Sequence, residues 1–388
     1  MAVRRRAVAV ALGLLLFSGG SGAAGCAAPE DAARTGALRA AVDRRAAELR
    51  DRDLAGVPLG SLSYRITRVR EDGGRATVRA ELGYRVAGYD SGPVTGERTL
   101  ELAERDGRWH VTSDRPAPGA PQQLWDQGDV DVVRGTRSLV LGAGQDPARL
   151  RAVAAAADRA VPVVSDAWPE RWARRVVVVV PASLEAMGAL LGAPAAGYRG
   201  VAAVTTGETG GGPDAPADRV IVNPEAYPVL GRFGQDMVLT HETTHVATRA
   251  HTSAATPMWL SEGFADWVAY RGSGRTAAQA APELREAVRA DGPPVGLPSD
   301  EDFAFSGDPA ALARAYEGGW LACAMIADRW GEAELRAFYR AVGAHGTRDG
   351  AVEKALHDVL GTTPDAFTAQ WRGYLRDRLG RPAAPAGA

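Results

Sequence analysis

HETTH, at His241 to His245, and WLSEGFAD, at Trp259 to Asp266, are the two stretches from which the rest of the chain can be read. Two histidines at i and i+4 stand on one face of a helix, about one turn apart. Their imidazoles can meet one metal ion. Glu242 is rotated by about 100° from His241 and falls beside that ion, where a carboxylate can take a proton from water. Met237-Val238-Leu239 just before supplies the apolar anchor such a helix needs. In the second stretch Glu262 offers a third, anionic ligand from a second helix. Asp266, one turn later on the same face, can accept the free ring N–H of a ligating histidine and so fix its tautomer. Two imidazoles and one carboxylate leave a tetrahedral ion with an open fourth position, as hydrolytic sites require.

Outward from these stretches the pattern divides the 388 residues into two folded parts. On the amino-terminal side, residues 37–118 read as a helix (Leu38 to Leu54) followed by alternating runs at Leu62–Val69, Arg75–Val86 and Arg98–Thr112. The last contains an Asp106-Gly107 hairpin turn. One helix and a curved antiparallel sheet resemble the NTF2-like or cystatin-like α+β layout. RPAPGAP at 115–121 marks the linker. Residues 130–380 then read as a small mixed sheet and a helical remainder. Strands are expected at Ser138–Leu141, Val176–Val180, Gly200–Thr206 and Arg219–Asn223, with a mobile glycine-rich loop at 207–217. Asp146-Pro147, Asp308-Pro309 and Thr363-Pro364 read as helix starts, each a capping side chain followed by proline in the first turn. Helices are also expected at Ser183–Leu191, Asp236–Ala250 and Pro257–Arg271. The expected class is therefore α+β.

The ends carry targeting signals. Arg4-Arg5-Arg6, the apolar run Ala7–Phe17 and small residues up to Cys26 form an export signal, too short in its apolar part to span a bilayer. Cys26 ends residues 1–26 in the manner of a bacterial lipoprotein signal, which predicts lipidation of Cys26 and display on the outer face of the cell membrane. Ala23 departs from the usual leucine of that motif, and simple cleavage and secretion is the alternative. Residues 27–36 read as a tether and 381–388 as a disordered tail. No later segment is apolar enough for a transmembrane helix. Cys323 sits in an apolar run, read as buried and unbridged to Cys26.

Composition narrows the partners. Lys+Arg 45 against Asp+Glu 47 leaves a net charge of −2, and Lys354 is the single lysine. No net basic charge offers itself to nucleic acid, so none is expected as a partner.

HETTH followed by WLSEGFAD resembles the gluzincin metallopeptidases, the clan of thermolysin and membrane alanyl aminopeptidase, and is most similar to the peptidase-MA-like domains of exported bacterial proteins. The likeness covers roughly Ser138 to Leu379. It implies one Zn²⁺ held by His241, His245 and Glu262, with Glu242 as general base and acid and Asp266 orienting a ligand. The sixteen residues between His245 and Glu262 form a connection slightly shorter than in the best-known members. The family's oxyanion donor is a tyrosine in a Y-x-x-G element, which Tyr316-Glu317-Gly318-Gly319 matches with Tyr316; Tyr270 and His251 are weaker candidates. An edge strand beside the metal, here Arg219–Asn223 or Gly200–Thr206, would pair with extended substrate. The G-x-M-E-N segment of aminopeptidase members is absent. The resemblance thus implies peptide-bond hydrolysis, with peptide or protein as substrate. A metal-containing binding or assembly lipoprotein without turnover is the competing reading, and a ligand-binding amino-terminal module a third.

Overall fold

The computed structural model describes residues 29–207, 214–304 and 308–380. The targeting segment with Cys26 and the tail 381–388 lie outside them. The described residues divide into two compact units, the first made of residues 29–86 together with Val94–Pro121, the second of Ala87–Pro93 and the described residues from Gln122 on.

In the first unit helix α1 (Pro29–Glu48) precedes four strands: β1 (Leu59–Asp72), β2 (Arg75–Val86), β3 (Val94–Arg105) and β4 (Arg108–Pro116). They form an antiparallel meander in sequence order. Asp106 and Gly107 both have positive φ (51° and 71°), as the two-residue turn between β3 and β4 demands. Leu38, Val42 and Leu49 bury one face of the helical segment, while Val78, Leu82, Leu100 and Trp109 are buried from the sheet. The tether expected at 27–36 is corrected from Pro29 on: α1 already begins there, because PEDAARTGALRA is alanine-rich and proline is tolerated in a first helical turn.

The second unit carries a five-stranded sheet built from β5 (Val130–Arg134), β6 (Ser138–Ala143), β7 (Val176–Val180), β8 (Ala203–Thr206) and β9 (Arg219–Val222). Their spatial order is β5-β6-β7-β9-β8. β6, β7 and β9 run parallel, and hairpin partners β5 and β8 close the two edges antiparallel. Helix α2 (Pro147–Ala167) makes the crossover from β6 to β7. Its cap Asp146 accepts hydrogen bonds from Ala148 N at 2.7 Å and Arg149 N at 3.2 Å. The VVVVV run of β7 is buried throughout, as a strand covered on both faces must be. The order also corrects one expectation. Arg219–Asn223 cannot offer a free edge, because β9 lies between β7 and β8; only β8 does. Within this unit Asp90, from the segment joining β2 to β3, takes both guanidinium nitrogens of Arg219 at 2.8 Å.

The remainder is helical: α3 (Leu184–Leu191), α4 (Gly231–Thr248), α5 (Met258–Tyr270), α6 (Ala277–Ala280), α7 (Pro282–Asp291), α8 (Pro309–Trp330), α9 (Glu332–Gly343), α10 (Ala351–Leu360) and α11 (Pro364–Leu379). Helix α4 starts five residues before the expected Asp236, whose carboxylate pairs instead with Arg159. The core of these helices is aromatic. Trp168, Phe264 and Tyr339 meet with ring centroids 5.0–5.6 Å apart. Helices α5 and α8 cross at a pair of glycines: a methyl group on Gly263 would stand 2.2 Å from the Gly319 carbonyl oxygen. Only glycine lets the two backbones approach so closely. Cys323 is free and buried at this layer, and burial pushes its thiol pKa well up.

Candidate metal centre and its cleft

Helix α4 presents His241 and His245 on one face, as the i, i+4 spacing requires, and α5 brings Glu262 against them. The helix is sunk among its neighbours, with residues 239–244 all buried. Three of its threonines are satisfied by bonding back on the helix itself, whereas the buried Thr243 hydroxyl has no partner among the described residues. Thr240 donates to the Asp236 carbonyl at 2.8 Å, Thr244 to that of Thr240 at 2.8 Å and Thr248 to that of Thr244 at 3.0 Å.

The donor atoms converge. Nε2 of His241 and Nε2 of His245 are 3.0 Å apart, and they lie 3.2 and 3.3 Å from Oε2 of Glu262. Ligands bound at ~2.0–2.2 Å around one tetrahedral ion stand roughly 3.3–3.5 Å from one another. The triangle is therefore within a few tenths of an ångström of one that holds a zinc-sized ion. His241, His245 and Glu262 fit such an ion in chemistry as well: two neutral nitrogen donors and one carboxylate. Asp266 Oδ1 is 2.8 Å from Nδ1 of His241, which turns Nε2 toward the centre and fixes the tautomer needed for ligation.

The electrostatics carry the same message. Burial opposes charge on His241, yet Asp266 and Glu262 outweigh it and raise its pKa to about 9. Burial likewise opposes charge on Glu262, and the two imidazoles hold its carboxyl well below the usual range. Two carboxylates thus attract positive charge to this point, and no Arg or Lys among the described residues pairs with either.

A cleft of about 580 Å³ opens beside the centre at His241, and its lining includes Glu242, Asp266, Tyr270, Tyr316 and Glu317. Its remaining walls are largely aliphatic, from Met237, Val238 and Leu312 among others. Tyr316 packs edge-on against Phe303 at 5.1 Å. The Tyr270 ring lies 4.9 Å from that of Trp320, and burial together with the nearby Asp266 pushes its phenol up to about 12, so it stays a proton donor. His251 is placed elsewhere, in a 3₁₀ turn with its ring edge-on to Trp168 at 5.5 Å.

Two features were not legible beforehand. Thr205, on β8, donates to Oε2 of Glu242 at 2.7 Å. Glu317, next to Tyr316, accepts the Leu284 N–H at 2.6 Å and so caps α7 from a different helix. Burial and the adjoining Glu283 raise its pKa to about 8.

No family model and no curated protein matches the chain. Among solved structures it is similar to native yeast LTA4 hydrolase at 14% identity and a TM-score of 0.37, over 76% of this chain and 45% of that one. A zinc metallopeptidase of the M1 family from Deinococcus radiodurans gives 18% identity and a TM-score of 0.37, over 84% and 63%. A mutant of a two-domain M1 zinc metallopeptidase bound to L-arginine gives 15% and 0.36, over 84% and 62%. The chain thus spans less than two thirds of the length of each of these three.

Proposed function

We propose that this chain is a gluzincin-type zinc peptidase that hydrolyses peptide bonds in peptides or proteins. The observation that carries the reading is Glu242. A structural metal site needs only ligands, whereas here a carboxylate outside the converging triad lines the same cleft as His241, one of its three donors. His241, His245 and Glu262 would hold the ion, with Asp266 orienting the first. Bound there, Zn²⁺ would supply Lewis acidity, polarising a carbonyl and bringing the pKa of solvent at its open position towards ~7.

The chain's own residues account for the proton transfers. Glu242 takes a proton from the attacking water and returns it to the leaving amine, acting as base and then acid. Tyr316, which lines the same cleft as Glu242, donates its hydroxyl proton to the oxygen on which charge develops. Strand β8, at one of the two edges of the sheet, aligns an extended substrate by main-chain pairing. The aliphatic walls of the cleft exclude water and strengthen each of these interactions.

In the same reading the precursor is exported and anchored through a lipid on Cys26. Residues 37–118 form an NTF2-like or cystatin-like module, residues 130–380 the peptidase domain. Metal analysis of purified protein should return one zinc per chain, and a quenched-peptide library should be cleaved in a chelator-sensitive manner. Glu242→Gln should lose hydrolysis while keeping the metal. A Glu242→Gln variant as active as the parent would overturn the assignment.

A further inference from the structure

We infer that Thr205 is a positioning residue that ties the alignment of substrate to the aim of the proton-transferring carboxylate. The inference rests on the peptidase reading and deepens it. The Thr205 hydroxyl lies 2.7 Å from Oε2 of Glu242 and 3.0 Å from the main-chain oxygen of the same residue. One hydroxyl has one proton, so donation to the charged oxygen dominates. Oε2 is thereby held, and Oε1 accepts no hydrogen bond among the described residues. Oε1 is left as the oxygen available to water in the cleft that Glu242 lines.

The backbone of the same residue faces the other way. Asn223 N donates to Ala202 O at 2.9 Å, which makes 202 and 223 a hydrogen-bonded pair of the β8–β9 ladder. Pairs alternate in an antiparallel ladder, so the Thr205–Val220 pair is of the kind that is not hydrogen-bonded. Its N–H and C=O on β8 therefore point away from β9, toward the free edge. Thr205 thus offers main-chain groups to an added strand and a side chain to Glu242. A substrate that pairs with the edge presses on the residue that aims the base. A register slip of one residue would present a differently oriented main chain at that point. The arrangement accordingly favours extended peptides over compact or small amide substrates.

The test uses the zinc-loaded full chain with Thr205→Val, Thr205→Ser and Glu242→Ala. With a quenched-peptide library as probe, Thr205→Val should lower kcat by roughly 10- to 100-fold, the cost of a misplaced catalytic group. KM should remain within about twofold, and Thr205→Ser should recover most of the rate. A second readout is independent of turnover. Melting temperatures of the double-mutant cycle should show a larger loss from Thr205→Val when Glu242 is present than in Glu242→Ala. Parent-like kcat in Thr205→Val, or additive melting shifts, overturns the inference. Absence of hydrolysis by the parent itself would overturn the peptidase reading, and the melting cycle would still decide whether Thr205 holds Glu242.

Discussion

Three buried carboxyls in this chain meet the same problem and solve it differently. Asp114, in the first unit, is enclosed by its own cations. Arg98 Nε is 2.9 Å from Oδ1, and Oδ2 takes Arg45 Nε at 3.1 Å and the Tyr64 hydroxyl at 2.6 Å. Glu262, in the second unit, is paired among the described residues with two imidazoles and no Arg or Lys. Glu317 faces a backbone N–H and another carboxyl, and burial with that neighbour raises its pKa to about 8. Charge taken from water must be paired, coordinated or neutralised. The first arrangement is complete within the polypeptide, the second suits a cation from outside, and the third shifts toward its neutral form. The difference separates a cluster whose charges are balanced within the chain from one suited to hold a cation.

The largest expected effect breaks the comparison at both ends. Glu262→Ala should reduce bound zinc from one per chain to near none and abolish the zinc-dependent rise in melting temperature. Asp114→Ala should leave zinc content unchanged and destabilise the first unit by ~3–5 kcal/mol, the cost of stranding buried charges. Elemental analysis and urea unfolding read the two losses. Equal zinc loss in both variants would erase the distinction.

Next in size is Gly263→Ala. A methyl 2.2 Å from the Gly319 carbonyl forces α5 and α8 apart. We expect ~1–3 kcal/mol of destabilisation from overpacking, together with weaker zinc binding because Glu262 travels with α5. Unfolding curves and zinc titration should move together.

Asp266→Asn should keep the fold and lower zinc affinity by roughly 10- to 100-fold, since a neutral amide orients the His241 ring less firmly. Competition with a chromophoric chelator measures this. An unchanged affinity would show that the 2.8 Å contact to His241 does not tune the ligand.

The smallest effect concerns Glu317. Its folded pKa, about 8, lies above the ordinary carboxyl value. The folded state therefore holds the proton more tightly than the unfolded one. Its contribution is favourable at acid pH, erodes as pH rises from the ordinary carboxyl range to about 8, and is constant above. Glu317→Gln should flatten that slope, with each kcal/mol recovered near pH 8 raising the melting temperature by about 2–4 °C. A parent-like pH profile in Glu317→Gln would place the titration elsewhere.

What sequence alone revealed follows the range of the interactions. The two histidines of HETTH and the pair Glu262–Asp266 were legible because helical periodicity fixes which side chains share a face. The caps Asp146, Asp308 and Thr363 were legible because each acts within three residues. The β3–β4 hairpin was legible because Asp-Gly tolerates two positive φ angles in succession. Strand β5 was missed: VDVVR is short and only half-buried at an edge. Which of β8 and β9 borders solvent could not be read, since both are short apolar runs and their spatial order inverts their sequence order. The bond from Thr205 to Glu242 spans 37 positions and has no periodic signature. The same holds for Glu317, whose partner on α7 is 33 positions away.

The glycine crossing of α5 and α8 has a thermal consequence. One rod carries Glu262 and the other carries Tyr316, and their main chains touch. Neither can slide or fray without tearing the aromatic interior that both penetrate. Warming should therefore leave the cleft intact up to the melting of the whole unit, so that inactivation and loss of near-ultraviolet ellipticity trace a single curve.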